Sequence, residues 1–395
     1  MSATEAIAKI KESDLVNLTR DLVRLRSINP PGEEREAAEF VAKWMRNLGL
    51  AVDMYEALPG RPNVVGTLKG KSGNPVLMVN GHLDVVPEGD RASWSVEPFG
   101  GELKSGRLYG CGSNDMKGAI ASALIATKAI VESGAELDGD LMLAAVVDEE
   151  VSGAGTQRLV DKGYRADMAV VAEPTELKLH IAHKGLARVE IVTKGKAAHG
   201  SNPRAGLNAI YKMSKVVSAL EAFLPELEKR KHPLVGNCSI NVGTVQGGTK
   251  FNVVPDLCRI EVDRRLIPRE PPDNVGREIS EILTRLKSKD PELEAEHNIM
   301  RMMEPAEIGA EEPIVKLARK AVQKVTGVDP GISGFMATTD MRVLVNQAKI
   351  PTVIMGPGNL AQAHVADEFV EIRQLVDAAK IYAHLAFLAL KPSKS

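Results

Sequence analysis

Apolar residues recur at helical spacing over residues 14–28, at Leu15, Leu18, Leu22, Val23 and Leu25, and stop at the breaker Asn29-Pro30-Pro31-Gly32. That pattern predicts a helix, and a second is predicted over residues 34–48. Residues 63–68 and 76–80 read as strands, the latter a nearly continuous apolar run of the kind a sheet covered on both faces needs. A helix is predicted over 116–131, then short apolar runs at 141–147 and 168–172 with a helix between them at 155–162. Strands alternating with helices predict a layered α/β domain.

The pattern changes after His183. From Gly185 to about His297 the order is strand (187–193), helix (206–223), two strands (239–245 and 252–266), helix (274–287) and a last strand (293–300). This is the β-α-β-β-α-β arrangement of a small ferredoxin-like α+β unit. Beyond it, a helix at 313–325, a buried strand at 351–355 and a closing helix at 373–388 return to the earlier style. The expected organisation is therefore α/β with two domains: a catalytic domain of residues 1–183 and 301–395, and an inserted domain of residues 184–300. The length agrees, since 395 residues exceed the roughly 100–200 of one ordinary domain.

Composition narrows the function classes. With 44% hydrophobic and 26% charged residues the chain reads as globular, and a formal net charge of −2 without a long basic run gives no footprint for nucleic acid or a membrane surface. The expected partner is a small molecule. Cys111, Cys238 and Cys258 form no CxxC pair and are expected to be buried apolar side chains in a reducing compartment. Lys9, Lys11, Asp14, Arg20, Asp21 and Arg24 break up any apolar signal-peptide core, and no run reaches the roughly 20 apolar residues of a membrane helix. A cytoplasmic protein is expected.

Candidate chemistry gathers at the ends of the predicted strands. His82 follows the strand at 76–80, where open α/β sheets build their sites. Asp84, two positions on, is expected to share its face and accept the ring N–H of a ligating histidine. Asp115 stands behind Gly110, Gly112 and Ser113 at the start of a helix. An aspartate there is more often an N-cap, but with His82 and the later carboxylates metal bridging becomes the better reading. Asp148-Glu149-Glu150 directly follows an apolar run, and three unpaired like charges at a buried strand end are costly unless cations neutralise them. One glutamate can then ligate while its neighbour serves as general base. A solvated acidic turn is the competing reading. Glu173 ends the run at 168–172 before Pro174, and His364 follows the loop Gly356-Pro357-Gly358. Together these residues hold the parts of a two-metal hydrolytic site.

At these residues the chain resembles the family of aminoacylase, glutamate carboxypeptidase and acetylornithine deacetylase/succinyl-diaminopimelate desuccinylase, the co-catalytic zinc hydrolases. The resemblance runs from about Leu15 to Leu388. It implies a mixed central sheet flanked by helices and an inserted lid and dimerisation domain. By resemblance His82, Asp115 and Glu173 would hold one Zn2+, and Asp115, Glu150 and His364 a second, with Co2+ or Mn2+ as possible substitutes. Glu149 would be the general base and Asp84 the orienter of His82. In the inserted domain, His199 of Ala197-Ala198-His199-Gly200-Ser201 resembles the histidine that reaches a partner subunit's site and stabilises the oxyanion, which implies a homodimer. Asn252, Arg265 and Gly358 would contact substrate, Arg265 because a guanidinium fork suits a carboxylate. Which of Arg264 and Arg265 faces outward depends on strand register. Where the family usually has arginine, this chain has Cys111. His183 and Lys184 resemble the hinge of the deacetylase branch and carry no expected catalytic role.

The resulting expectation is a metal-dependent amidohydrolase that removes an acetyl- or succinyl-type N-acyl group from an amino acid or diamino acid. A dipeptidase or carboxypeptidase with the same site is the alternative among enzymes, and a metal- or carboxylate-binding protein without turnover the alternative outside them.

Overall fold

The computed structural model describes residues 3–390. The chain forms two compact units: one takes the chain up to Ile181, Ile308–Gly334 and the chain from Thr339 onward, the other Ala182–Glu307 with Phe335–Thr338. The first stretch of the larger unit holds α1 (Ala3–Ile7), α2 (Glu12–Arg24), α3 (Arg35–Asn47), β1 (Ala51–Leu58), β2 (Arg61–Leu68), β3 (Val76–His82), β4 (Glu102–Lys104), β5 (Arg107–Tyr109), α4 (Gly118–Glu132), β6 (Asp140–Val146), α5 (Ala154–Asp161) and β7 (Met168–Val171). After β8 (His180–His183) the smaller unit runs β9 (Gly185–Lys194), α6 (Ala209–Glu228), β10 (Lys231–His232), β11 (Gly236–Asn237), β12 (Ser239–Gly247), β13 (Leu257–Leu266), α7 (Asn274–Lys289), β14 (Glu294–Met303) and β15 (Ala306–Glu307). The chain then adds α8 (Pro313–Thr326), β16 (Ser333–Phe335), α9 (Met341–Asn346), β17 (Thr352–Ile354), β18 (Phe369–Glu371) and α10 (Ile372–Leu390).

The main sheet runs β1-β2-β6-β3-β7-β17-β8, with β15 and β16 beside β8. It is mixed: β6, β3, β7 and β17 are parallel neighbours, whereas β1, β2 and β8 run antiparallel to theirs. Every residue of β6 and β7 is buried, as the continuous apolar runs require, and α3, α4, α5, α8 and α10 pack against the strands. The parallel register places His82 opposite Val146 and Asn80 opposite Val171. The carboxyl ends of β6, β3 and β7 therefore share one edge of the sheet. Among the described residues, no helix is long and apolar enough to cross a membrane.

Some elements escaped the sequence pattern. The edge strand β1 is half exposed along most of its length and carries Asp53 and Glu56, so it shows no clean alternation. The three-stranded sheet β18-β5-β4 joins short segments more than two hundred residues apart in sequence, which no local pattern announces. The helix expected from Met116 starts instead at Gly118.

The smaller unit is a four-stranded antiparallel sheet, β12-β13-β9-β14, with α6 and α7 packed on it. Its strand order is that of a ferredoxin-like β-α-β-β-α-β unit. Ala187, Val189 and Ile191 from β9 and Ile260 and Val262 from β13 meet Met213, Val216 and Leu220 of α6 and Ile279 and Ile282 of α7. The same alternation turns Arg264 into the covered side, where it pairs with Glu270 and Glu278, and leaves Arg265 on the other face, bonded to Asp263 through Nε at 2.8 Å.

Asp290, which ends α7, ties that helix to α6: Lys212 Nζ lies 2.8 Å from both carboxylate oxygens and Lys215 Nζ lies 2.8 Å from Oδ2. The bonds from Lys212 and Lys215 hold the Asp290 carboxyl down at about 2, against an ordinary 3.8. A depressed carboxylate contributes stability that is complete above its unfolded pKa and disappears as pH falls through the folded value. Asp290→Ala is expected to lower thermal stability near neutral pH by roughly 1 kcal/mol. Melting of both proteins across the acid range checks the sign, because the gap between them should close between pH 3.8 and about 2.

Candidate metal centre

Three parallel strands deliver the core of the site. His82 is the last residue of β3, Asp148-Glu149-Glu150 begins one residue past Val147 after β6, and Glu173 stands two residues past the end of β7. The turn after β6 is tight: Asp148 adopts φ +67°, and its carbonyl accepts the amides of Ser152 and Gly153 at 3.1 and 2.6 Å. Gly155 is obligatory here, since a Cβ would fall 2.0 Å from the Val147 carbonyl oxygen.

Asp115 arrives from an irregular segment, Ser113–Lys117, in which it leaves helical geometry at φ −126°, ψ 95°. It does not cap α4, so its carboxylate stays available to the site. Glu368 fixes that segment: its carboxylate accepts the amides of Gly112, Asn114 and Asp115 at 3.0, 2.9 and 3.1 Å. Glu368 lies four residues past His364 and thereby links the chain around that histidine to the Asp115 segment. Gly358 is part of the same arrangement, because a Cβ there would meet Asn114 Oδ1 at 2.3 Å, and Asn114 Oδ1 accepts the Asn359 amide at 2.8 Å.

The side chains converge. His82 Nε2 is 3.1 Å from Asp115 Oδ1, and His364 Nε2 is 3.0 Å from Glu150 Oε1 and 3.6 Å from Asp115 Oδ2. Ligand-type atoms of His82, Glu149 and Glu173, and separately of His82, Asp115 and Glu150, lie within 4.8 Å of one another. Glu149 thus belongs to the cluster with the other carboxylates. His364 is the open member, its side chain 52% exposed, whereas that of His82 is 1% exposed.

Asp84 departs from expectation. His82 Nδ1 meets the backbone carbonyl of Asp84 at 2.9 Å, and the Asp84 carboxylate is 3.8 Å away. A carbonyl and a carboxylate only accept, so Nδ1 donates to the Asp84 carbonyl and Nε2, without a metal, donates to Asp115 Oδ1; a bound cation would take the place of the Nε2 proton. The strand ends at His82 and Asp84 lies beyond it, so the two-residue periodicity that would put both side chains on one face does not extend to Asp84. The Asp84 carboxylate instead accepts the amides of Glu149 and Glu150, each at 3.1 Å, and the side-chain amide of Asn29 at 2.8 Å.

The electrostatics follow from crowding. Burial, with the charge of Glu173, pushes Glu149 well above the usual carboxylate range. Burial, with Asp115, does the same to Glu173, and burial also raises Glu150 against the hydrogen bond from His364. Asp115 resists its own burial and is held low by its hydrogen bond to His82 and by both histidine charges. The bond to Glu150 lifts His364 to about 9, while the acidic surroundings raise His82 despite complete burial. Four carboxylates that repel one another, with only two imidazoles among them, are the donor set that divalent cations neutralise, so the residues fit a metal pair.

Other expected site residues are not part of this cluster. His199, Asn252 and Arg265 belong to the smaller unit; His199 is exposed with Nδ1 2.7 Å from Ser201 Oγ, and Asn252 is exposed with its carbonyl accepting the Gly200 amide at 2.7 Å. All three cysteines are buried and free, as expected. Cys111 places its thiol 3.5 Å from the Val86 carbonyl, and burial raises its pKa. Sequence reasoning missed Glu368, Asn29, Arg61 and the inward role of Asp148. Asn29 was visible only as part of a helix breaker.

Residues 78–387 match the family described as peptidase family M20/M25/M40. The N-formyl-4-amino-5-aminomethyl-2-methylpyrimidine deformylase of Bacillus subtilis is 33% identical, over 94% of each chain. The acetylornithine deacetylase of Proteus mirabilis is 29% identical, over 92% of this chain and 93% of its own. Among solved structures, aminopeptidase PepT from Bacillus cereus superposes with a TM-score of 0.79 at 22% identity, over 97% of this chain and all of that one. A dinuclear metal binding peptidase of the M20 family from Bacillus subtilis superposes with a TM-score of 0.72 at 18% identity, over 96% and 98%. The span of the family match, together with the deformylase's identity along nearly the whole chain, shows that this protein belongs to peptidase family M20/M25/M40 and is a hydrolase of amide bonds.

Proposed function

We propose that the protein is a two-metal deacylase that hydrolyses the amide between a small acyl group and the amine of an amino acid, diamino acid or similar small molecule. The observation that carries this reading is the convergence of His82, Asp115, Glu150, Glu173 and His364 with one further carboxylate, Glu149, at a single edge of the sheet. His82, Asp115 and Glu173 would hold one Zn2+, and Asp115, Glu150 and His364 the other, with Co2+ or Mn2+ as substitutes. The ions, when bound, supply Lewis-acid polarisation of the carbonyl and a more acidic water.

The chain's own residues do the rest. Glu149 accepts a proton from the attacking water at its carboxylate and delivers it to the departing amine nitrogen. Burial and the neighbouring Glu173 charge raise its affinity for a proton, which suits a carboxylate that takes one from water and passes it on. Asp84 holds the Glu149-Glu150 backbone through two amides, and its carbonyl keeps the His82 tautomer. Glu368 keeps the Asp115 segment in place. His199 is the candidate donor to the oxyanion of the tetrahedral intermediate, supplied by a partner subunit, with the inserted unit as lid and dimer contact and the hinges at residues 183–185 and 300–304. Asn252, Arg265 and Gly358 are assigned to substrate contact. Three buried cysteines without a disulfide support a cytoplasmic setting.

The relatives favour deacylation: one is named for removing a formyl group from an aminomethylpyrimidine and the other for removing acetyl from ornithine. Hydrolysis of N-formyl, N-acetyl and N-succinyl amines, measured beside simple dipeptides, is expected to show chelator-sensitive turnover of one acyl series at about two metals per chain. Turnover of dipeptides alone would replace this reading with a peptidase, and full metal occupancy without any turnover would replace it with a binding protein. Glu149→Ala should retain both metals and lose roughly 10²-fold or more in kcat; loss of metal by elemental analysis would make Glu149 a ligand. His199→Ala should lower kcat by about 10²–10³-fold with metal content intact, and unchanged turnover would remove the oxyanion role.

A further inference from the structure

The acidic end of β6 is suspended from a buried polar network to which none of the proposed ligands contributes a side chain. Asp84, fully buried, takes the Glu149 amide on Oδ1 and the Glu150 amide on Oδ2, both at 3.1 Å. Asn29, 2% exposed, donates one side-chain amide to Asp84 Oδ2 at 2.8 Å and to Asp148 Oδ1 at 3.0 Å. Both neighbours are carboxylates on this side of the network, so the nitrogen of the Asn29 amide must face them. Asp148 in turn lies 2.9 Å from an Arg61 guanidinium nitrogen and accepts the Ser152 hydroxyl. Arg61 completes the chain on Glu34, donating from Nε to Oε2 at 2.8 Å, with Glu34 itself fully buried.

The loop that carries Asn29 is shaped for this. Its backbone amide donates to the Val85 carbonyl at 2.8 Å, and the Val85 amide returns a bond to Ser27 at 3.0 Å, which locks the loop to the segment just past Asp84. Gly32, at φ +104°, leaves the space Arg61 occupies; a Cβ there would lie 2.3 Å from Arg61 Nε. Each carboxylate that flanks Glu149 and Glu150, Asp84 before and Asp148 beside, is thus held by the same amide.

We infer that Asn29 is a positioning residue for the reaction: by bridging Asp84 and Asp148 it fixes the backbone from which Glu149 and Glu150 project, with Arg61 anchoring the far side of the bridge. This inference rests on the proposed role of Glu149. It separates Asp148-Glu149-Glu150 into one inward anchor and two site residues, and it gives the Asp84 carboxylate a purpose other than orienting His82.

The test is a cycle on the full-length, metal-loaded protein. Asn29→Ala and Asn29→Ser are compared with the parent, and each is also made in a Glu149→Asp background, with kcat, KM, the dissociation constant for Zn2+ by chelator competition, and the melting temperature measured for all. Asn29→Ala is expected to lower kcat at saturating metal by about 10–100-fold with KM within about twofold, and to weaken Zn2+ binding because Glu150 hangs from the same carboxylate. Asn29→Ser keeps a single O–H donor and should fall between parent and alanine variant; it also stands in if the alanine variant does not fold. In the Glu149→Asp background the loss should be clearly smaller, since the carboxylate being positioned has already moved. Unchanged kcat in a folded Asn29 variant, or the same fold-loss in both backgrounds, would overturn the inference. Should Glu149→Asp leave kcat untouched, the base assignment fails separately, and an unchanged Zn2+ dissociation constant in the Asn29 variants would then reject the positioning role.

Discussion

The structure is organised around a charge problem: more carboxylates are gathered at one sheet edge than its cations can neutralise. Asp84, Asp115, Asp148, Glu173 and Glu368 are all buried there, with Glu149 and Glu150 beside them, while the cationic side chains bonded to this group are His82, His364 and Arg61. The chain divides the burden. Asp84 and Glu368 are each satisfied by two or three backbone amides, and Asp148 by Arg61 and Asn29. These three are scaffold. Among the described residues, Asp115, Glu149, Glu150 and Glu173 receive no such set of donors and crowd toward one another and the imidazoles, where divalent charge would neutralise them. The sheet makes this tolerable because the buried parallel strands hold the strand ends in register while α3, α4, α8 and α10 cover them.

That division also marks how far the sequence could be read. Buried parallel strands announce themselves as unbroken apolar runs, so residues 76–80, 141–147 and 168–172 were legible, and a ligand-type residue just past each run pointed to the edge where the site forms. The β-α-β-β-α-β order of the smaller unit was legible for a related reason: β9 and β13 alternate cleanly because one face meets helices and the other does not. The edge strand β1 and the small sheet of β4, β5 and β18 were not, since β1 and β4 are largely exposed, the strands of the small sheet are only three residues long, and β18 pairs with distant chain.

Within the site, residue types were legible and connections were not. An aspartate two positions after a histidine suggests a carboxylate on the ring, yet the ring found the backbone carbonyl because the chain turns at that point. Asp115 lies in irregular backbone that no propensity describes, so its freedom from helix capping emerged only in three dimensions. Glu368 and Asn29 act over sequence separations of more than fifty residues, as hydrogen-bond partners of other site segments. Such partners leave no local signature, since an asparagine before prolines is also what any turn would use.

Hydrolysis of an amide bond is what the family has in common, and it does not fix the acyl group or the amine. The deformylase and the deacetylase named among the relatives differ both in the acyl group removed and in the amine released, although each aligns with nearly the whole of this chain. The ligands and proton carrier proposed at the strand ends would answer that common part, because water attack on a carbonyl makes the same demand in every case. Selectivity between acyl groups requires contacts to atoms away from the carbonyl, from side chains whose replacement leaves the charge balance at the edge intact. Arg265 and Asn252, proposed above for substrate contact, are bonded to none of the clustered carboxylates, so their replacement would leave that balance intact. Residues such as Asn29 and Glu368 do not meet that condition, for losing Asn29 takes a donor from two buried carboxylates and losing Glu368 leaves three buried amides of the Asp115 segment without their acceptor, changes that fall on the edge itself whatever the substrate.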